Sequence, residues 1–346
     1  MGTEKSGRCC SGAADSTVEK AAPDVKRVTG EITFANKWDH FIARWGYDRF
    51  GHRVEPGLYS IGAPNPESPV FVTANYTLSF DALRSSIEGM DAYILVLETR
   101  GINVWCAAGK GTFGTDELVG WIEAVNLKDV VSHRRLILPQ LGAPGVAAHV
   151  VKKRSGFKVE YGPVLASDVP EYMKTGKATA EMRKVKFPAR DRFVLIPVEL
   201  AHAAPIVLVV SVLMFIAGGW LAFSGVVAAA FAGLVLFPLL LPSLPFYDFS
   251  VKGFILGFLA AIPFAIAAYF GGADIWSRSG WAAFYLLFIP SVTAYLSLNF
   301  TGSTTFTSQT GVKKEIYAYA PTMFWMFVVS AALAIALPLY RIFGGA

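Results

Sequence analysis

The sequence predicts an α/β domain built on a parallel sheet, followed by an all-α membrane domain of five transmembrane helices. Three observations carry that expectation. Mean hydropathy over the 346 residues is +0.45, with 53% hydrophobic and 16% charged residues, which lies outside the range of an ordinary water-soluble chain. The charges are segregated, because 49 of the 57 Asp, Glu, Lys and Arg residues lie in the first 200 positions and 8 in the remaining 146. Residues 205–247 carry no charged side chain at all.

The elements follow in chain order. Residues 1–30 are rich in Ser, Gly, Ala and Lys without apolar periodicity and are expected to form a mobile N-terminal tail. No apolar run opens the chain, so no secretory signal is expected. Residues 31–190 read as a soluble domain. Val70-Phe-Val-Thr-Ala and Ala92-Tyr-Ile-Leu-Val-Leu are buried strands, with a helix from Ser79 to Ile87 between them. Leu136-Ile-Leu and Phe157-Lys-Val-Glu-Tyr are further strands, separated by a helix from about Val146 to Lys153. Continuous apolar strands alternating with helices indicate a parallel, Rossmann-like or flavodoxin-like layer. Ligands of such sheets bind at the carboxyl ends of the strands.

Residues 191–204 read as a linker and 205–346 as the transmembrane domain. As one helix, 205–247 would span roughly 65 Å, about twice the ~30 Å hydrocarbon core, so it is expected to fold back near Ser224-Gly225. Spans are expected at 205–223, 225–246, 253–271, 281–299 and 320–340. An odd number places the termini on opposite sides. Lys252, Lys313 and Lys314 then fall in loops on the side of the soluble domain, with Arg183, Lys184, Lys186, Arg190 and Arg192, whereas Arg278 and Arg341 fall opposite. The positive-inside rule puts the α/β domain in the cytoplasm, with the chain in the cytoplasmic (inner) membrane. No acidic or basic group lies within a span, which argues against a charge-coupled transporter. The net charge of +5 does not indicate a nucleic-acid surface, since the first 200 residues hold 26 basic and 23 acidic groups. Three cysteines exclude a disulfide scaffold and point to a reducing compartment.

Directly after the second strand comes Thr99-Arg100-Gly101-Ile102, then N-V-W-C-A-A-G-K over 103–110 and G-T-F-G over 111–114, before Thr115-Asp116-Glu117 opens another helix. Gly109, Gly111 and Gly114 formally fit G-x-G-x-x-G, but a dinucleotide fingerprint begins at the strand's end, and about ten residues intervene here. A P-loop fails too, because Val104 stands where its first Gly belongs and Gly111 where its Ser/Thr belongs. A third reading makes Cys106 a small buried hydrophobe.

The string Asn103 to Lys110 matches at all eight positions the cap-helix motif of the HgcA family of mercury-methylating corrinoid proteins, and the chain resembles that family. The resemblance runs on through G-T-F-G-T, the upstream V-E-P-G-L-Y from Val54 and V-T-A-N-Y from Val72, and the apolar tail. The soluble domain is also similar to the corrinoid-binding domain of the corrinoid iron–sulfur protein large subunit. That relative carries a four-cysteine cluster site, which three cysteines without C-x-x-C cannot supply.

The resemblance implies a Rossmann-like corrinoid-binding domain in which Cys106 is the catalytic residue and the lower axial ligand of the corrinoid cobalt. Asn103, Val104, Trp105, Ala107, Ala108, Gly109, Lys110 and Thr112 would complete the cofactor site. The histidine-on corrinoid motif D-x-H-x-x-G is absent from the chain. Lys110, one helical turn from Cys106, would favour thiolate, and the small residues would let the helix lie flat beneath the macrocycle. The implied reaction is methyl transfer from methyl-Co(III) to Hg(II), giving methylmercury, with the thiolate donating charge through cobalt. Implied partners are the ferredoxin-like iron–sulfur protein HgcB as reductant, a methyl-donating methyltransferase and membrane lipid, with no nucleic acid. The alternative is a membrane-tethered methyl carrier for another acceptor. A transporter with a nucleotide-binding domain is a third, weaker reading. Cys9 and Cys10 form a vicinal pair that suits Hg(II) capture or acylation. The segment 299–315, with seven Ser or Thr residues in Asn299–Glu315, reads either as a capped loop or as a docking or substrate-approach surface.

Overall fold

The computed structural model describes residues 24–48, 50–271, 274–304 and 309–343. Cys9, Cys10 and most of the N-terminal tail lie outside the described residues. The chain divides into two compact units, one formed by 1–31 with 53–177 and the other by 32–52 with 178–346. The soluble stretch expected over 31–190 is thus interrupted, because residues 32–52 group with the helical part.

The first unit is a six-stranded sheet in the order β1-β2-β4-β3-β5-β6. Its strands are β1 (Val25–Val28), β2 (Gly57–Ile61), β3 (Val70–Ala74), β4 (Ala92–Leu97), β5 (Arg135–Leu138) and β6 (Lys158–Tyr161). Every residue of β2, β3 and β4 is buried, as strands covered on both faces require. β3, β4, β5 and β6 are the strands expected from the apolar runs. β1 and β2 are additional, and β2 pairs antiparallel with β4, so the sheet is mixed rather than wholly parallel. Gly-Leu-Tyr-Ser-Ile lacks the aliphatic run that marks β3 and β4, and its burial comes from the sheet faces, with Leu58 in the core and the Tyr59 ring 5.0 Å from that of Phe80.

Helices α2 (Thr77–Ser86), α4 (Thr115–Ala124), α5 (Leu127–Val130), α6 (Ala148–Ser155) and α7 (Val169–Thr175) belong to this unit, together with the short α3 (Val104–Lys110). The core joins Leu58, Val72 and Leu95 of the sheet to Phe113, Leu118, Ile122, Val151 and Phe157. On α2 the buried Arg84 pairs with Asp81 at 2.6 Å and donates to the carbonyls of Thr29 and Glu31 at 2.6 and 2.7 Å, anchoring the chain where it leaves β1.

The second unit contains α1 (Phe34–Arg44), α8 (Ala189–Phe231), α9 (Phe237–Leu240), α10 (Phe249–Gly271), α11 (Ile275–Asn299) and α12 (Gln309–Phe343). Among the described residues, four helices are long and apolar enough to cross a membrane: Ala189–Leu240, Phe249–Gly271, Ile275–Asn299 and Thr310–Phe343. The first runs through α8, a π-helical turn at Ala232–Leu236 and α9. It is not one straight rod. Gly219 has φ 68° and ψ −158°, a combination open essentially only to glycine, and it breaks the helical path. Residues from both sides of the break, Leu200 to Ser211 and Phe223 to Leu234, line one apolar pocket, so the two halves lie side by side. The reversal therefore falls at Gly219 and not at Ser224-Gly225. Gly225 lies inside continuous helix, where a Cβ would come within 2.8 Å of the Tyr285 ring.

Charge placement departs from the expected loops. Lys252 lies within α10, where its Nζ donates to the carbonyl of Leu241 at 2.9 Å just past α9. Lys313, Lys314 and Glu315 lie in α12. Glu315 is buried and accepts from the N–H and hydroxyl of Ser250 at 3.0 and 3.1 Å, closing the amino end of α10. Lys252 supplies a donor to an otherwise open helix-end carbonyl, which explains why a charge is drawn into an element that its sequence marks as apolar.

Candidate functional site at the carboxyl ends of β3 and β4

β3 ends at Ala74 and β4 at Leu97, and the segment that follows β4 turns over the sheet edge into α3. Asn75, fully buried, organises this turn. Its Oδ1 accepts from the N–H of Thr99 at 3.0 Å, the hydroxyl of Thr99 at 2.8 Å and the N–H of Gly101 at 3.1 Å. Its Nδ2 donates to Glu98 at 3.0 Å, and its own N–H donates to the Leu97 carbonyl at 3.0 Å. The hydroxyl of Thr99, also buried, lies 2.7 Å from the carbonyl of Ile102 as well, so its one hydrogen is shared between that oxygen and Asn75 Oδ1. The amide thus ties the end of β3 to the loop after β4. Asn75 and Thr99 do not stand out by composition or spacing. The signal available is a polar pair closing two otherwise apolar strands.

The cap helix follows from local chemistry. Asn103 is its N-cap, and its Oδ1 accepts from the N–H of Cys106 at 2.9 Å. Gly111 ends the helix at φ 82°, and the N–H of Thr112 reaches back to the Ala107 carbonyl at 3.0 Å. The helix is pressed against the loop before α6: a Cβ on Gly145 would sit 2.2 Å from the Phe113 carbonyl oxygen and 3.0 Å from Ala108 Cα, so only glycine fits there.

The expected site residues separate into two faces. Val104, Ala107 and Ala108 are buried in the core cluster and fix the helix to the sheet. Asn103, Gly109 and Lys110 are exposed, while Trp105, Cys106 and Thr112 are half-buried. Cys106 and Lys110, one turn apart, share the outward face with Asn103. A Cβ on Gly109 or Gly111 would meet no atom within 4 Å, so the helix surface beside Cys106 is open. Thr112 takes part in ending the helix.

Among the described residues, no group of three or more His, Cys, Asp or Glu side chains is placed to hold a metal ion. The histidines with assigned contacts are used elsewhere: His52 meets Asp39 at 2.7 Å, and His133 meets the Ser68 carbonyl at 2.8 Å. A single sulfur on an open helix face does not build a metal site from protein alone. It does suit a metal whose remaining positions come from a macrocycle, which asks the protein for one axial donor.

Comparison with known proteins places this domain. Residues 48–173 match the family model described as CO dehydrogenase/acetyl-CoA synthase delta subunit. The acetyl-CoA decarbonylase/synthase complex subunit gamma of Methanopyrus kandleri is 34% identical over 123 residues, which are 35% of this chain and 26% of the relative. The same subunit of Archaeoglobus fulgidus is 34% identical over 114 residues, 32% of this chain and 24% of the relative. The corrinoid/iron-sulfur protein large subunit of Moorella thermoacetica is 32% identical over 129 residues, 37% of this chain and 28% of the relative. The chain thus spans about a quarter of the length of these relatives. The matched segment runs from just before β2 to within α7 and contains the whole α3 site. Residues 48–173 are thus similar to the CO dehydrogenase/acetyl-CoA synthase delta subunit family model and to part of the corrinoid/iron-sulfur protein large subunit.

Proposed function

We propose that this protein is a membrane-bound corrinoid methyltransferase of the HgcA type that methylates Hg(II), with the Cys106 sulfur as lower axial ligand of cobalt. One observation carries the reading. Cys106 stands half-buried on the open face of a helix at the carboxyl ends of β3 and β4, in a domain homologous to a corrinoid protein. When bound, the corrinoid supplies a cobalt-held methyl group to a soft acceptor.

The chain's own residues prepare the site. Val104, Ala107 and Ala108 hold the helix on the sheet, and Asn103 caps it through the N–H of the half-buried Cys106. Lys110 sets a positive charge one turn away, which favours the thiolate that a cobalt ligand requires. Gly109 and Gly111 keep the surface beside the sulfur clear for a flat macrocycle. Trp105 and Thr112 border this surface.

Three cysteines cannot furnish a four-cysteine iron–sulfur cluster, so the reductant is a separate ferredoxin-like protein, HgcB, and the methyl group arrives from a methyltransferase. The helical part crosses the membrane five times, the segment Ala189–Leu240 counting as two crossings that reverse at Gly219, and the α/β domain faces the cytoplasm. The vicinal pair Cys9 and Cys10 suits either Hg(II) capture or acylation.

Mercury methylation by cells expressing the protein with HgcB tests the function. Cys106→Ala at unchanged membrane levels is expected to abolish methylmercury formation, and normal methylation by that variant would refute the ligand assignment. If the purified methylated protein discharges its methyl group to Hg(II) no faster than to an unrelated thiol acceptor, the carrier reading with a different natural acceptor replaces the mercury-specific one.

A further inference from the structure

We propose that α1 is an interfacial membrane helix whose aromatic stripe lies in the boundary between headgroups and acyl chains of the bilayer crossed by the helical part, with anionic phospholipid as its occupant. This inference rests on the membrane-spanning helices and is independent of the corrinoid.

The sequence of α1, F-A-N-K-W-D-H-F-I-A-R, spaces its aromatic residues at helical intervals, and Trp45 follows as its C-cap. At 100° per residue, Phe34, Trp38, Phe41 and Trp45 fall within an arc of about 60°. All four are solvent-facing, at 81%, 55%, 51% and 43% exposure. They form a continuous strip, with Trp38 and Phe41 stacked at 5.5 Å and Phe41 and Trp45 at 6.1 Å. No residue of this helix is buried, so the helix owes little to packing on its own protein. Such a face in water is costly unless something apolar covers it.

The helix's position within its unit names what covers it. A Cβ on Gly46, one residue past Trp45, would lie 2.9 Å from Val198 Cγ2 and 3.4 Å from His202 Cε1. The end of α1 therefore packs on α8 at 198–202. Glu199 is the last Asp, Glu, Lys or Arg before an uncharged run that reaches Tyr247. That is the level at which a spanning helix passes from water into hydrocarbon. Phe and Trp on one side with basic groups at their flank are the composition of a helix lying in that zone. Lys37 and Arg44, both exposed, flank the stripe on one side, about 60° to 80° from Phe34 around the helix. The acidic side chain of the helix, Asp39, is half-buried and turned to His52 at 2.7 Å. The outward surface thus presents aromatic rings and cations, which complements a bilayer bearing anionic headgroups.

The test uses the full-length chain with Cys9→Ser, Cys10→Ser and Cys106→Ser, so that an added cysteine carries the only label. Phe41→Cys and, separately, Phe34→Cys are labelled with an environment-sensitive fluorophore and reconstituted into vesicles of phosphatidylcholine and phosphatidylglycerol. Lys153→Cys, on the exposed side of α6, reports the response of a water-facing label. The proposal expects both α1 labels to be quenched several-fold more by lipid with a shallow acyl-chain spin label than by aqueous iodide, with the reverse order at position 153. Iodide quenching at 34 and 41 equal to that at 153 would overturn it. Protection from both quenchers, the mark of a covering protein, would overturn it equally.

Discussion

Asn75 shows how much of the candidate site depends on one buried side chain. Replacing it with Ala leaves the N–H groups of Thr99 and Gly101 without their acceptor in a dry environment, at about 1–3 kcal/mol for each unsatisfied group. Asn75→Ala is therefore expected to destabilise the α/β domain by about 2 kcal/mol or more and to lower its Tm, as thermal unfolding of the full-length protein in detergent would read. An unchanged Tm would mean that the loop after β4 is held by other contacts. The cap helix was legible in the sequence because its determinants are local, an N-cap at Asn103, small residues and a terminal glycine at Gly111, whereas the part given to Cys106 came from the family resemblance. Asn75 was not, because its bonds join positions 24 and 26 residues apart and no spacing rule links them. Burial of Lys252 and Glu315 was hidden for the same reason, since their partners lie 11 and 65 positions away.

Among the elements, α1 and the turn after it contain a group that responds to pH. His52 is buried, with Nδ1 2.7 Å from the Asp39 carboxylate and Nε2 2.8 Å from the Tyr47 carbonyl. Both neighbours are acceptors, so both nitrogens must carry hydrogen, which only the imidazolium provides. Burial works against the charge, but the Asp39 hydrogen bond, the Tyr47 carbonyl and the charges of Asp39 and Asp48 outweigh it and hold the pKa above 6.5. A raised folded-state pKa contributes stability that is fully present below 6.5 and is lost as pH rises through the folded value. Backbone hydrogen exchange in residues 45–48 is expected to speed up between pH 6 and 8 beyond the intrinsic rate, and His52→Ala should remove that extra acceleration. In the helical part, Gly219→Ala places a side chain at φ 68° and ψ −158°, costing about 1–3 kcal/mol and lowering the melting temperature in detergent. Gly225→Ala tests the alternative turn, and it is expected to act instead by crowding Tyr285. The apolar strands and spans were readable because each is a long local run. The reversal point was displaced because two glycine sites, 218–219 and 225, lie close together in an uncharged stretch, and hydropathy does not distinguish them. β2 was missed because it has no aliphatic run, and its burial depends on distant residues such as Phe80, against which Tyr59 packs.

At the scale of the molecule, a sheet unit and an apolar helical unit agree with the segregation of charge along the chain. The number of crossings sets the topology. Five crossings put the two termini on opposite sides, and four put them on the same side. Protease or thiol-reagent accessibility of tags at the two ends in sealed inverted membrane vesicles is expected to show only the N-terminal tag exposed. Exposure of both would establish an even number of crossings. The central claim is that a corrinoid is held through the Cys106 sulfur, and the visible spectrum of the purified full-length protein tests it most directly. Corrinoid absorption is expected in the wild type, with band positions displaced in Cys106→Ala at comparable cofactor content. A protein that binds no corrinoid, or identical spectra in the two forms, would contradict it.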